Sequence, residues 1–289
     1  MHVMGVEGGD KDEQLRFADY MLSVGDGREP TFMHRDLDLI SLSEGMCVRT
    51  RDVGELISFT FPDVARPFKD VEFLRSHAIL TPLNKDVDEI NARVDEQLPG
   101  DVFTFYIADS VVECEGSNVH PIEYLNSVQP SECPPHKLVL KIGMIVMLLR
   151  SIVSHKGLCN DRRLIILRLG GQVIEAEIVT GKNMGSRVLI PCIPIVPSDS
   201  NIRFELQRVQ FSIRAAFAMK INKAQGQTMD TIELYLPRPV FSHGQLYVAL
   251  LRVQNAAILR VLIIDKDNRF TDVDGVVRYP QDIVYSEVL

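Results

Sequence analysis

Residues 77–91 read HAILTPLNKDVDEIN. His77 to Leu80 form a short apolar run of the kind found in buried strands. Thr81-Pro82 ends it, because proline brings no N–H to a ladder and restricts the residue before it. Asn84 then predicts a helix cap, with Val87, Ile90 and Val94 on one helical face and Asp86, Asp88 and Glu89 near the positive end of the helix. A strand, a short polar loop and a capped helix make an α/β unit. Open α/β sheets place ligands at such loops, at the carboxyl ends of their strands. The pattern returns after Gln210, with a strand over 213–219, a helix or turn near 222–227, and a strand over 231–236. A helix over 242–252 and a strand over 258–264 follow. Ser242 and Gln245 have the S-x-x-Q spacing of a capping box, which sets that helix start at Ser242.

Between 123 and 206 the character changes. Short β-rich runs at 142–149, 164–169, 173–179 and 187–190 alternate with Gly157, Gly170, Gly171 and Gly181. Pro130, Pro134, Pro135, Pro191, Pro194 and Pro197 punctuate the ends. Close strand spacing with glycine-rich turns predicts a small β-barrel over 123–206, inserted in an α/β domain formed by 71–122 and 207–289. The first 70 residues read as a connector that packs onto something larger. Phe17, Tyr20, Met21, Leu22 and Val24 have rough helical spacing, stopped by Gly25-Asp26-Gly27. Leu56, Ile57, Phe59 and Phe61 make a second cluster, closed by Pro62.

Of the 289 residues, 46% are hydrophobic and 24% charged, a balance that excludes wholesale disorder and collagen-like structure. The longest apolar run, at 142–149, is far short of the ~20 residues a bilayer span needs, so no membrane partner is expected. The N-terminus is acidic and polar, unlike a secretory signal. Five scattered cysteines suit reduced thiols in an intracellular protein. Cys114, His120, Cys133 and His136 read as loop residues rather than a zinc set, given their spacing and the rigid Pro134-Pro135; no metal site is expected. The net charge of −8 hides an asymmetry. Residues 1–136 hold 26 acidic and 11 basic side chains, whereas 137–260 hold 7 and 17. An anion-binding face on the C-terminal half follows, unless the charge is merely uneven solvated surface.

Two segments concentrate chemistry. At 217–228, FAMKINKAQGQT, a hydrophobic strand runs into a polar, basic loop with a glycine that lets backbone N–H groups approach an anion. Lys220 and Lys223 there can neutralise phosphates. At 241–253, FSHGQLYVALLRV, an apolar helix delivers Arg252 at its end, and a planar guanidinium suits a phosphate contact. Taken singly, the first is equally a basic strand end and the second a buried helix with a solvated arginine.

Taken together, AFAMKINKAQGQTMD (216–230) and LYLPRPVFSHGQLYVALLRV (234–253) resemble the last two helicase motifs of the Pif1 family, especially its Helitron branch. HAILTPLNKDVDEIN is similar to that family's fourth motif. PPHKLVLKIGMIVMLLRSIVSHKGLCNDRRLII (134–166) resembles the β-barrel inserted in its second motor domain. The resemblance implies a RecA-like second motor domain of a superfamily-one helicase that moves 5′ to 3′ on single-stranded DNA using ATP and Mg²⁺. It places Thr81 and Pro82 near the DNA, with Lys220, Asn222 and Lys223 on the strand. Gln225 and Gly226 couple that contact to the nucleotide, and Arg252 is the arginine finger. Implied partners are single-stranded or tailed duplex DNA and the first motor domain. The implied setting is nuclear, in replication, repair, recombination, telomere maintenance or rolling-circle transposition.

The sequence also departs from the family pattern. Lys220 stands where the family usually has Thr, Leu251 where it has Ser, and Asp161-Arg162 where it has Gly-Thr. No G-x-x-x-x-G-K-[ST] loop is present. The ATP-holding first motor domain is therefore expected ahead of residue 1. The chain alone is expected to bind no ATP or Mg²⁺ and to be inactive as a hydrolase. The rival expectation is a non-enzymatic single-stranded DNA-binding or interaction module.

Overall fold

The computed structural model describes residues 9–34, 37–42, 46–48, 52–62, 71–106, 108–111, 121–128, 130, 133–197, 204, 206–225, 229, 231–242, 244–252, 259–264 and 278–280. In chain order the first elements are α1 (Gly9–Gly25), β1 (Phe32–His34), β2 (Leu37–Ser41), α2 (Val53–Thr60), α3 (Val71–Ser76), β3 (His77–Thr81), α4 (Asn84–Gln97), β4 (Phe103–Tyr106), β5 (Ala108–Val111) and α5 (Ile122–Ser127). Then come β6 (Lys137–Leu140), β7 (Ile145–Leu148), β8 (Arg163–Leu169), β9 (Val173–Ile178), β10 (Arg187–Ile195), β11 (Leu206–Phe211) and β12 (Ile213–Ala215). The last are β13 (Ala218–Lys220), β14 (Thr231–Leu236), α6 (Gln245–Leu250), β15 (Leu259–Ile263) and β16 (Arg278–Pro280). No described helix is long and apolar enough to cross a membrane.

The chain divides into two compact units. The first comprises Met1–Val64, Ser76–Val94 and Ala218–Leu289. Its centre is a four-stranded parallel sheet in the order β13-β3-β14-β15. A parallel sheet covered on both faces needs near-continuous apolar strands, and Ala78-Ile79-Leu80 and Val261-Leu262 are almost wholly buried. Residues assigned to the connector supply much of this unit's core: Phe17, Met21, Val24, Leu39, Ile40, Leu56 and Ile57 are buried. The α2 helix lies against β3 and β14, its start capped by the Asp52 carboxylate, which accepts the Gly54 N–H at 2.8 Å. β2 pairs with β1 and, on its other side, with the C-terminal β16.

The second unit comprises Ala65–Arg75 and Asp95–Phe217. It is antiparallel throughout, with one sheet ordered β12-β7-β8-β9-β10-β11-β5 and a separate β4-β6 pair. Among the described residues β12 and β5 are the ends of that order, so the pairing does not by itself confirm the small β-barrel expected over 123–206. Residues 103–111, grouped by sequence with the α/β part, pair here, β4 with β6 and β5 with β11. The strand read at 213–219 is really two. β12 pairs antiparallel with β7, the chain breaks at Ala216-Phe217, and β13 pairs parallel with β3. Pro191 and Pro194, read as punctuation, lie inside β10. Residues 187–191 pair with β9 and 192–195 with β11, so each half is laddered on one side and leaves an edge where proline is tolerated.

Two buried arginines organise this unit. Arg208 forks onto Asp109 (Nε to Oδ1 2.9 Å, an Nη to Oδ2 2.8 Å) and also donates to the Pro134 and Val128 carbonyls. Arg and Asp are both wholly buried, and such a pair is tolerable because the guanidinium finds so many acceptors. Arg163 donates to the carbonyls of Leu74 and Arg75, at the end of α3, and of Ala216. Burial pushes its guanidinium down to about 9.

Asp161 has φ 62°, the only non-glycine residue with positive φ among those described. It occupies the position where the family resemblance expects glycine, and the backbone explains the preference. Asp tolerates the left-handed region better than most residues, at a residual cost. Arg162, next to it, donates to the Thr180 carbonyl at 2.8 Å and lies across Gly181, where a side chain would collide with it. Asp161→Gly should raise the stability of the chain by about 0.5–1 kcal/mol in urea unfolding. A loss of stability would show that Asp161 holds the turn by its side chain instead.

Glu233 is wholly buried in β14. Burial is the main reason its carboxyl is pushed up to about 8, opposed by the neighbouring Thr60 and Arg260. The pull of Thr60 is small, because its single hydroxyl proton goes to the Leu56 carbonyl at 2.8 Å. A raised acid favours the folded state when protonated. That stability is fully present below the unfolded value near 4.5 and is lost as pH rises towards 8. Glu233→Gln, which mimics the protonated acid, should flatten the decline between pH 5 and 8, by about 3–5 kcal/mol over the interval. Identical pH–stability curves for the two proteins would refute this.

Candidate functional site

The parallel register gives the site its geometry. Ala218 pairs with Ile79, Met219 with Leu80 and Lys220 with Thr81, so β13 and β3 end side by side at the carboxyl edge of the sheet. Asn91 of α4 fixes this edge from behind. Its Oδ1 accepts the Ala218 N–H at 2.8 Å, and its Nδ2 donates to the Ala218 carbonyl at 3.1 Å. The side-chain amide thus acts as one more strand residue, satisfying an edge that would otherwise be orphaned in a buried place. The signal for Asn91 was a polar residue on the otherwise apolar Val87–Ile90–Val94 face, and it was not singled out. α4 begins at Asn84 itself, and the first helical bond runs from the Val87 N–H to the Leu83 carbonyl.

After β13 the chain makes a 3-10 turn over Ile221–Ala224. Ile221 and Ala224 are buried and anchor it, while Asn222 and Gln225 are exposed and Lys220 and Lys223 half-buried. The Gln225 N–H closes the turn on the Asn222 carbonyl at 3.4 Å. Gly226 lies outside the described residues. Thr81 and Pro82 are both buried, so neither presents a side chain to solvent. They were expected near DNA; Thr81 stands in register beside Lys220, at the base of the exposed turn.

Arg252 follows α6. Its Nε donates to the Val248 carbonyl at 3.0 Å and one Nη reaches the Ala224 carbonyl at 3.5 Å. Half-buried, its guanidinium is lowered from the ordinary arginine value by desolvation. The helix thus brings its arginine directly onto the turn that carries Lys220, Asn222, Lys223 and Gln225, and the two segments picked out by sequence form one site.

α6 itself starts later than the capping box implied. It begins at Gln245, preceded by Gly244 at φ 62°, and Ser242 makes no side-chain cap. Gln245 still reaches back, but its Oε1 accepts the Phe241 N–H at 3.1 Å. The flank of α6 meets α1, where a Cβ on Gly25 would stand 2.7 Å from the Tyr247 ring, so only glycine allows this approach. Arg238, just past β14, pairs with Asp86 at 3.4 Å; burial raises the Asp86 carboxyl while Arg238 opposes it. Of the cysteine and histidine set, Cys114 and His120 lie outside the described residues. Among the described residues no three His, Cys, Asp or Glu side chains are grouped to hold a metal.

The family model for the DNA helicase Pif1 2B domain matches residues 123–169. The human ATP-dependent DNA helicase PIF1 is 34% identical over 190 residues, covering 62% of this chain and 26% of the human protein. The crystal structure of the Pif1 helicase from Candida albicans superposes with TM-score 0.56 at 21% identity, over 96% of this chain and 57% of that one. A Pif1 structure described for DNA unwinding at forked duplex DNA gives TM-score 0.52 at 21% identity, over 88% of this chain and 48% of that one. These two show a shared fold. The chain spans about a quarter of the length of the curated relative. The motifs in order, the 2B match and the sequence relatives, together with the shared fold, support a Pif1-family helicase C-terminal region.

Proposed function

We propose that this chain is the second motor lobe, with its inserted domain, of an ATP-dependent DNA helicase that translocates 5′ to 3′ along single strands and unwinds tailed duplexes. The observation that carries the reading is the reach of Arg252 to the Ala224 carbonyl, within the turn that presents Lys220 and Lys223. A basic turn and a candidate phosphate trigger in direct contact can exchange information. When Lys220, Asn222 and Lys223 take up strand phosphates, the turn shifts, and the carbonyl that holds Arg252 shifts with it. When Arg252 turns to a phosphate, the turn loses a partner and its grip changes. Gln225, exposed at the turn's end, would couple this contact to the nucleotide.

The residues fit one side of a nucleotide site. Arg252 offers a planar cation for a γ-phosphate, where it would stabilise charge that develops on the transferring group. Mg²⁺-bound ATP, when held in an intact enzyme, supplies the free energy of the cycle. A phosphate cradle is not spelled in this sequence, so the partner lobe would provide it. The antiparallel unit, within which the 2B match falls, would guide the strand.

The second reading is a binding module without turnover. It is favoured by the exposure of Asn222 and Gln225, since the turn can meet a strand unaided. Both readings require strand contact, and both are tested by one titration. The chain should bind a single-stranded oligonucleotide with an affinity that falls with salt, and Lys223→Ala should reduce the logarithmic salt slope by about 0.7–1. An unchanged slope would remove the turn as a phosphate contact. In the same preparation no DNA-stimulated ATP hydrolysis is expected from this chain alone; adding the first lobe and regaining hydrolysis selects the helicase reading over the binding module.

A further inference from the structure

Nothing in the sequence pattern marks Tyr279. In the structure it is wholly buried on β16, which pairs with β2 through Tyr279–Ile40 and Pro280–Leu39. Leu39 and Ile40 are themselves wholly buried, so β16 is laid into the core of its unit. The Tyr279 hydroxyl makes two bonds. It donates to the Arg238 carbonyl at 2.9 Å and accepts the Val240 N–H at 2.9 Å.

Those two groups flank Pro239. The segment that leaves β14 reads Pro237-Arg238-Pro239-Val240, and its two prolines bring no N–H. A loop so short of donors cannot hold its shape by backbone bonds alone. The tyrosine hydroxyl, a donor and an acceptor in one atom, supplies what the prolines take away. From Val240 the connection runs on without a gap. The Phe241 N–H is held by Gln245 Oε1, Gln245 opens α6, and α6 ends at Arg252 on the Ala224 carbonyl.

We infer that Tyr279 is a positioning residue for Arg252: the C-terminal strand straps down the Arg238–Val240 loop, and the loop sets the start, and thereby the reach, of the helix that carries the arginine. The inference rests on the reading of Arg252 as the phosphate trigger, but its structural part can be tested apart from that reading.

The test uses the full chain and Tyr279→Phe, which keeps the buried ring and deletes only the hydroxyl. Amide hydrogen exchange over 240–252 is expected to speed up about tenfold, while the amides of β3 and β14 stay within about twofold of the unmutated chain. The NMR signal of the Arg252 Nε–H is expected to move towards that of a solvated arginine. A role confined to general stability would raise exchange everywhere alike, and that result overturns the inference, as does an unchanged rate over 240–252. Should Tyr279→Phe not fold, the unmutated chain decides the matter. The Val240 amide must be among its protected sites, and fast exchange there refutes the strap. Strand binding measured on the same samples separates the two ideas. Selective loosening of 240–252 in a chain that binds no DNA would sink the helicase reading while leaving the strap intact.

Discussion

The pairing of β13 with β3 is the constraint on which the site depends. Parallel neighbours end on the same side of a sheet, so a register that sets Lys220 beside Thr81 delivers both loops to one edge. A slip of one residue would turn Lys220 inward and Met219 outward, exchanging a charge for an apolar side chain on each face. Register is defended here by burial, since Ala218 and Met219 have nowhere else to go, and by Asn91. The Asn91 amide satisfies both backbone groups of Ala218, and only one alignment of β13 offers them to it. The turn after β13, the helix that meets that turn, and the arginine on the helix all inherit their position from this alignment.

In the second unit a different force settles comparable questions. Arg163 and Arg208 are buried cations, and a buried guanidinium is stable only where acceptors surround it. Arg208 answers with a forked bond to Asp109 and with carbonyls from the chain around α5. Arg163 collects the last carbonyls of α3, which a helix end leaves without partners, and adds Ala216. In each case the cation takes up carbonyls that lie outside the named strands. Breaking either by truncation would leave several carbonyls buried and unanswered, a larger penalty than the loss of a surface bond.

The regular parts of this architecture were legible in the sequence. The strands at 77–81 and 231–236 fell where the apolar runs placed them, because a parallel strand buried on both faces has few options in composition. Arg252 and the lysine turn were visible as dense basic segments, and the structure brings them together. What failed did so for identifiable reasons. The run 213–219 is apolar throughout, and nothing in periodicity marks Ala216-Phe217 as the place where the chain leaves one sheet for another. The S-x-x-Q pattern at Ser242 misplaced the start of α6, because Gly244 takes the left-handed conformation and Gln245 turns to Phe241 instead. Pro191 and Pro194 looked like breakers but sit on the unladdered sides of a strand that changes partner. Asn91 and Tyr279 act through contacts 127 and about 40 residues away in sequence, so even the polar break that Asn91 makes in an apolar helix face could not name its partner.

The departures from the family pattern acquire a physical meaning in this setting. Lys220 is the residue that enters the 3-10 turn, with extended backbone and no side-chain cap. A threonine there could offer its hydroxyl to an N–H group at the start of the turn, which lysine cannot do. Leu251 likewise closes α6 with an apolar side chain, where a serine could hydrogen-bond to the backbone. Both substitutions delete a short-range polar hold, and the first replaces it with a charge suited to phosphate. The turn is held by the burial of Ile221 and Ala224, by the Gln225 N–H on the Asn222 carbonyl, and by the guanidinium of Arg252 on the Ala224 carbonyl. In this chain the arginine proposed as trigger therefore also bonds the turn that carries the two lysines, a contact made on the backbone at Ala224 and so independent of which side chains stand at 220 and 251.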